Sequence, residues 1–213
     1  MAETQIAIAE QFDDPVQQKI ASTFGMWTFL ATEVLFFGAV FLAYIVYRST
    51  YPNAFAEAGK HTILLFGSIN AAILLTSSFT MALAVHAVQN NNIKWLLRLL
   101  LITILLGCAF LAVKGLEYHE DVKEQLFPGP NFKPGLPYQA QIFWFLYWVL
   151  TGWHTVHLAV GIGLLSVITF FSWQGKYCER YYNPVFISGL YWHFVDLVWI
   201  WLYPLLYLVN RHS

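Results

Sequence analysis

The sequence predicts an all-α protein, a polytopic membrane helix bundle with five transmembrane helices. Three observations lead there. The chain is 58% hydrophobic and only 11% charged, less than half of the roughly 25% charge usual in a soluble domain. Its charges gather near the start, around 48–60, around 114–124 and around 176–180. Between them lie runs nearly free of Lys, Arg, Asp and Glu, long enough to supply the roughly 20 apolar residues that cross about 30 Å of hydrocarbon.

Residues 1–24 read as a soluble, acidic N-terminal tail in which Asp13-Asp14-Pro15 caps a short surface helix. The tail lacks the charged-then-apolar pattern of a secretory signal. The first span covers 25–47 and ends at Arg48 and the turn-forming Tyr51-Pro52-Asn53. The second, 62–88, is closed by the polar run Gln89-Asn90-Asn91-Asn92. The third, 93–116, carries Lys94 and Arg98 at its entrance, where long basic side chains snorkel. A polar connection follows, whose Pro-Gly and Gly-Pro pairs mark turns. The fourth span, 140–173, is about 50 Å long at 1.5 Å per residue and must tilt or project into water. The fifth, 185–209, is opened by Asn183-Pro184 and contains Pro204, tolerated where neighbours satisfy the freed carbonyl. The 25–213 region is thus one bundle. Trp27, Trp95, Trp144, Trp148, Trp173, Tyr181 and Tyr182 crowd the span ends, as an interfacial aromatic belt does.

An odd number of spans puts the termini on opposite sides. Lys19, Lys94, Arg98, Lys176 and Arg180 fall on the N-terminal side, against Arg48, Lys60, Lys114, Lys123, Lys133 and Arg211. The numbers nearly balance. The tighter loops of the N-terminal side tilt the expectation toward a cytoplasmic N-terminus and an external C-terminus. A net charge of −1 offers no basic patch for nucleic acid. Cys108 and Cys178 have no CxxC spacing and read as structurally incidental.

An ionisable group in hydrocarbon costs about 2.5–3.5 kcal/mol and is by default a functional hypothesis. Glu33, His86, His154, His157, His193 and Asp196 qualify. Helical rise sets most of them in a polar layer in the N-side half of the membrane, facing the bundle interior. His154 and His157 share a helix face, as do His193 and Asp196. A carboxylate–imidazole hydrogen bond hides either group from lipid, so a structural role stands first. Three alternatives stand beside it. His86 with the interfacial basic residues suits a lipid phosphate. Facing histidines suit haem or a metal, although Trp153, Trp192 and Phe194 beside them speak for packing. Glu33 with Asp196 suits a proton relay, to which the outer half of the fourth span, QIFWFLYWVL, adds little. Gly161 and Gly163, with Gly67, Ser68, Ala71, Ala72, Ser77 and Ser78, let helices approach closely.

The segments GMWTFLATEVLFFGAVFLAYI, LAVKGLEYHED, TGWHTVHLAVGIGLL and GLYWHFVDLVWIWLYPLLYL occur here in that order. Together they resemble the haem–copper oxidase subunit III family, in its short five-helix bacterial form. The resemblance implies a non-catalytic subunit of a bacterial inner-membrane terminal oxidase, with no cofactor, metal or catalytic residue of its own. Haem and copper are then expected in partner subunits I and II, and structural phospholipid in a cleft of the bundle. It also implies support for proton uptake and a cytoplasmic N-terminus. Glu33 matches the family's carbodiimide-reactive intramembrane glutamate, with Thr32 where serine is usual. Glu117, Tyr118 and Glu120 match the end of the third span, His154 and His157 the histidine pair, and His193 and Asp196 the terminal motif. The missing N-terminal helices of the long form remove one wall of the usual lipid cleft. Quinol-oxidase subunit III and a nitric-oxide reductase accessory subunit share the resemblance, and a stand-alone haem-binding membrane cytochrome is the reading from another class.

Overall fold

The computed structural model describes residue 12, residues 14–175, residue 177 and residues 182–208. Among the described residues there are helices and no strands. The helices are α1 Pro15–Thr50, α2 Pro52–Gly59, α3 Leu64–Gln89, α4 Ile93–Lys123, α5 Ala140–Trp173 and α6 Asn183–Tyr203, the last continued by a π-helical turn Pro204–Leu208. Five of these segments are long and apolar enough to cross a membrane. The chain is an integral membrane protein.

One packing rule builds the bundle. In α5 the buried residues include Ala140, Trp144, Tyr147, Thr151, His154, Leu158, Gly161, Leu165, Ile168 and Ser172. Steps of three and four residues keep one stripe of the helix turned inward. The same spacing runs through α3 at Gly67, Asn70, Leu74, Ser77, Met81 and Ala84, and through α4 from Leu96 to Asp121. Outward faces stay apolar because lipid, not water, surrounds them, so association relies on close packing. α3 and α4 form the most extensive pair, and α6 packs against both α3 and α5. α1 lies at the edge against α5 and α6, burying only Leu30, Phe37 and Tyr44 on a seven-residue repeat.

Trp192 keys the centre. Its indole lies against Gly161 and Gly107, and its Nε1–H donates to Ser77 Oγ at 3.1 Å. A Cβ on Gly107 would stand 2.8 Å from Trp192 and 3.1 Å from Ile162. We expect Gly107→Ala to cost about 1–3 kcal/mol through overpacking, read as a lower thermal unfolding midpoint of the protein in detergent.

Several boundaries differ from the sequence expectation. Asp14 does cap a helix, accepting from the Gln17 N–H at 2.7 Å, with Pro15 in the first turn. That helix is the first span itself, 36 residues long, and not a short surface piece. Lys19 and Ser22, assigned to the tail, bond Tyr182 and Asn183 at the start of α6. The turn expected at Tyr51-Pro52-Asn53 opens α2, since proline fits a first helical turn and Ala54, Phe55 and Ala58 make a buried face. α4 outruns its expected end at 116 and continues to Lys123, with Glu117 and Asp121 of the extension turned into the bundle. Trp27, Trp95 and Trp173 are exposed, as a belt requires, whereas Trp144 is fully buried in the core. Tyr181 and Cys178 lie outside the described residues, and Cys108 is exposed. Pro204 ends α6, and Tyr44 on α1 donates its hydroxyl to the Leu205 carbonyl at 2.9 Å in the turn that follows.

Candidate functional site: two buried polar centres

The first centre grows from the α4 stripe. Its inward positions are Leu96, Leu100, Thr103, Gly107 and Phe110, and the next three in register are Lys114, Glu117 and Asp121. All three ionisable side chains are thereby driven inside, with relative exposures of 1%, 0% and 2%. Such burial is tolerated only with partners on all sides. Lys114 Nζ donates to Glu117 Oε2 at 3.0 Å, Tyr147 Oη at 3.0 Å and Tyr207 Oη at 2.8 Å, spending its three protons. Tyr207 donates to Glu117 Oε1 at 2.6 Å. Tyr147 lies 2.9 Å from Glu117 Oε1 and 3.0 Å from Asp121 Oδ2, and its single hydroxyl proton serves one of them at a time. The ammonium also stands over the rings of Tyr147 and Tyr118, 4.7 and 4.9 Å from their centroids, and near those of Trp199 and Tyr207. Aromatic faces stabilise a desolvated cation. Four helical elements are locked by one lysine.

The second centre lies midway along α1 and α5. His157 Nδ1–H donates to the Trp153 carbonyl at 2.8 Å, and Nε2 meets Glu33 Oε2 at 3.0 Å. With Nδ1–H committed, the Nε2–Oε2 contact holds one proton, carried by the imidazole or the carboxyl. Exposures of 14% and 19% for the two side chains place the pair at the flank of the bundle. Phe37 packs on the imidazole at 5.3 Å, and Tyr191 donates to the His157 carbonyl.

His154 and His157 therefore part company. An offset of three residues turns His157 toward α1 while His154 stays in the central stripe, wholly buried. His154 Nε2–H donates to the Val195 carbonyl at 3.1 Å, and its ring packs against both Phe110 and Trp199, which also touch each other. The pairing expected between His193 and Asp196 does not form. His193 Nδ1 bonds Ser78 Oγ at 2.7 Å instead, although Asp196 faces the same serine. Asp196 is 3% exposed, interacts electrostatically with Ser78, and makes no hydrogen bond of good geometry at either oxygen. His86 is not buried at all. It sits exposed in the last turn of α3 and bonds Asn90. Glu120 faces outward to Lys123 at 2.9 Å.

Lys114, Asp121, Tyr147 and Tyr207 were missed in the sequence, where Lys114 counted as a loop charge. The signal was present: positions 114, 117 and 121 extend the apolar stripe of α4 without a break. Among the described residues, no three of His, Cys, Asp and Glu converge as metal ligands. The ring nitrogens of His154 and His157 that make contacts are engaged with protein oxygens, a poor fit to axial haem ligation.

Fold and site together define an integral membrane helix bundle in which Lys114, Glu117 and Asp121 are buried and paired by its own side chains. The sequence profile described as cytochrome c oxidase subunit III matches residues 5–210. The chain is 35% identical to cytochrome c oxidase subunit 3 of Synechocystis sp. over 187 residues, 87% of this chain and 75% of that protein. It is 30% identical to quinol oxidase subunit 3 of Bacillus subtilis over 191 residues, 87% of this chain and 86% of that one. Cytochrome c oxidase subunit 3 of Thermostichus vulcanus is 30% identical over 188 residues, 88% of this chain and 87% of that one. The chain belongs to the cytochrome c oxidase subunit III family, and so is part of a terminal-oxidase complex.

Proposed function

We propose that this chain is the non-catalytic subunit III of a cytochrome c oxidase in a bacterial cytoplasmic membrane, with its N-terminus in the cytoplasm. It braces the large catalytic subunit, which with subunit II carries the haem and copper, and supports proton uptake beside bound phospholipid. The observation that carries this reading is the Glu33–His157 pair on the lightly packed α1 flank. It is a proton-holding contact at the edge of a bundle whose central charges, Lys114, Glu117 and Asp121, are fully buried. Wide apolar exposure along α1, including Leu35, Phe36 and Leu42, suits a helix covered by lipid or a neighbouring subunit. A quinol oxidase is the second reading, since the chain is as similar to the Bacillus subtilis quinol oxidase subunit 3 as to the Thermostichus vulcanus cytochrome c oxidase subunit 3, at 30% identity to each. Turnover of the purified complex with reduced cytochrome c against a quinol separates the two.

Glu33→Gln tests the flank. The amide can still donate to His157 Nε2, so the contact persists, but the shared proton is lost. We expect initial turnover close to that of the unaltered complex and a catalytic lifetime shortened several-fold, most at alkaline pH where proton supply limits. Unchanged lifetime contradicts the reading.

A further inference from the structure

We propose that bound water molecules fill a file inside the bundle, between the Lys114 centre and Asp196, held by Asn70, Trp199 and His154. The register of α3 against α6 sets the position. Trp192 bonds Ser77, and Ser68 bonds Tyr203 at 2.7 Å, so the two helices run antiparallel and Asn70 is level with Trp199. The Trp199 ring lies 5.4 Å from Lys114 Nζ on one side and 5.0 Å from the His154 ring on another. Asp196 precedes Trp199 by about one turn, and both belong to the buried residues of α6.

Every one of these side chains is buried and carries a polar atom without a hydrogen-bond partner among the described residues. They are Asn70 Nδ2 and Oδ1, Trp199 Nε1, His154 Nδ1 and both oxygens of Asp196. Asn70 is 0% exposed and makes no side-chain bond at either amide atom. The set is chemically mixed. Trp199 offers a donor, Asn70 a donor and an acceptor, and His154 Nδ1 an acceptor, since its Nε2–H is spent on Val195. The Trp199 and His154 rings are 5.0 Å apart, yet the Trp199 donor and the His154 acceptor do not pair with each other. Water both donates and accepts, and a buried water typically makes about three such bonds. An ion satisfies only one sign of partner, and an apolar ligand satisfies neither. The neighbouring polar atoms continue the file at each end: Ser78, bonded to His193, beside Asp196, and the tyrosine hydroxyls around Lys114.

Two measurements on the protein in its native assembly test this. A high-resolution map of the unaltered protein is expected to show density about 2.7–3.2 Å from an Asn70 amide atom and from Trp199 Nε1. A dry contact there, or an Asn70 amide turned onto a protein partner, overturns the proposal. The second is Asn70→Leu, close in volume but unable to bond. Removing an unpaired dry amide raises the thermal midpoint, whereas removing an amide bonded to water leaves that water and Trp199 short of partners and lowers it. The proposal predicts a midpoint lower by several degrees; a rise or no change overturns it. Where Asn70→Leu does not assemble, the map decides alone.

Discussion

Lys114→Met will be among the most damaging single substitutions in this protein, although it places an apolar side chain in a membrane interior. The methionine is of suitable length and fits among the rings of Tyr118, Tyr147, Trp199 and Tyr207. What it removes is the cation facing Glu117 and Asp121. Both carboxyl groups are then left inside with two tyrosine hydroxyl protons between them. Removing one partner of a buried ion pair costs about 3–5 kcal/mol, whereas removing both together is often close to neutral. The expected result is therefore non-additive. Lys114→Met alone lowers the thermal midpoint sharply and depletes the chain from its complex. Lys114→Met with Glu117→Gln recovers much of the loss, although Glu117→Gln alone is also harmful. A double-mutant cycle read by thermal unfolding in detergent measures the coupling. Additive costs would show that the three groups do not share one electrostatic centre.

Trp192→Ala is expected to cost about 3–5 kcal/mol, the usual penalty for emptying a large aromatic site. Gly107 on α4 and Gly161 on α5 let the indole approach both backbones, and Ser77 on α3 receives its N–H. Three helices thus close on one side chain of the fourth. Nothing in lipid replaces those contacts, since the driving force between membrane helices is packing. Trp192→Phe keeps most of the volume and loses the hydrogen bond, for about 1 kcal/mol. Thermal midpoints of the two variants should therefore separate clearly. Equal losses would mean that the Ser77 bond, not the packing, holds the seam.

The spans were legible because membrane thickness fixes how long an apolar run must be. α5 matched its expected limits at Ala140 and Trp173. Where charges entered the bundle, the same rule failed. Lys114 and Asp121 looked like the edge of a loop, so the third span was ended too early. The inward stripe of α4 continues through them, and their partners Tyr147 and Tyr207 lie on other helices, out of reach of local spacing. Lys114 must also leave the tally of loop charges used for orientation, which makes the two sides still more nearly equal. The histidines failed differently. Sharing a face at three-residue spacing is true of His154 and His157 on an isolated helix. At a junction of α1, α5 and α6, the same offset divides them between the core and the flank. Glu33 and His157 were each visible as costly residues, but their pairing depends on how α1 leans against α5.

The central claim is that the acids and imidazoles of this chain satisfy one another and brace a neighbouring redox subunit, holding no electron carrier themselves. Purification of the native complex through a tag on this chain, followed by separation of the subunits and an optical spectrum of each, tests it most directly. The account predicts a large haem-bearing subunit in one-to-one ratio with this chain, and no Soret band in the separated chain. A Soret band carried by this chain, or its recovery without any large oxidase-type companion, would contradict it.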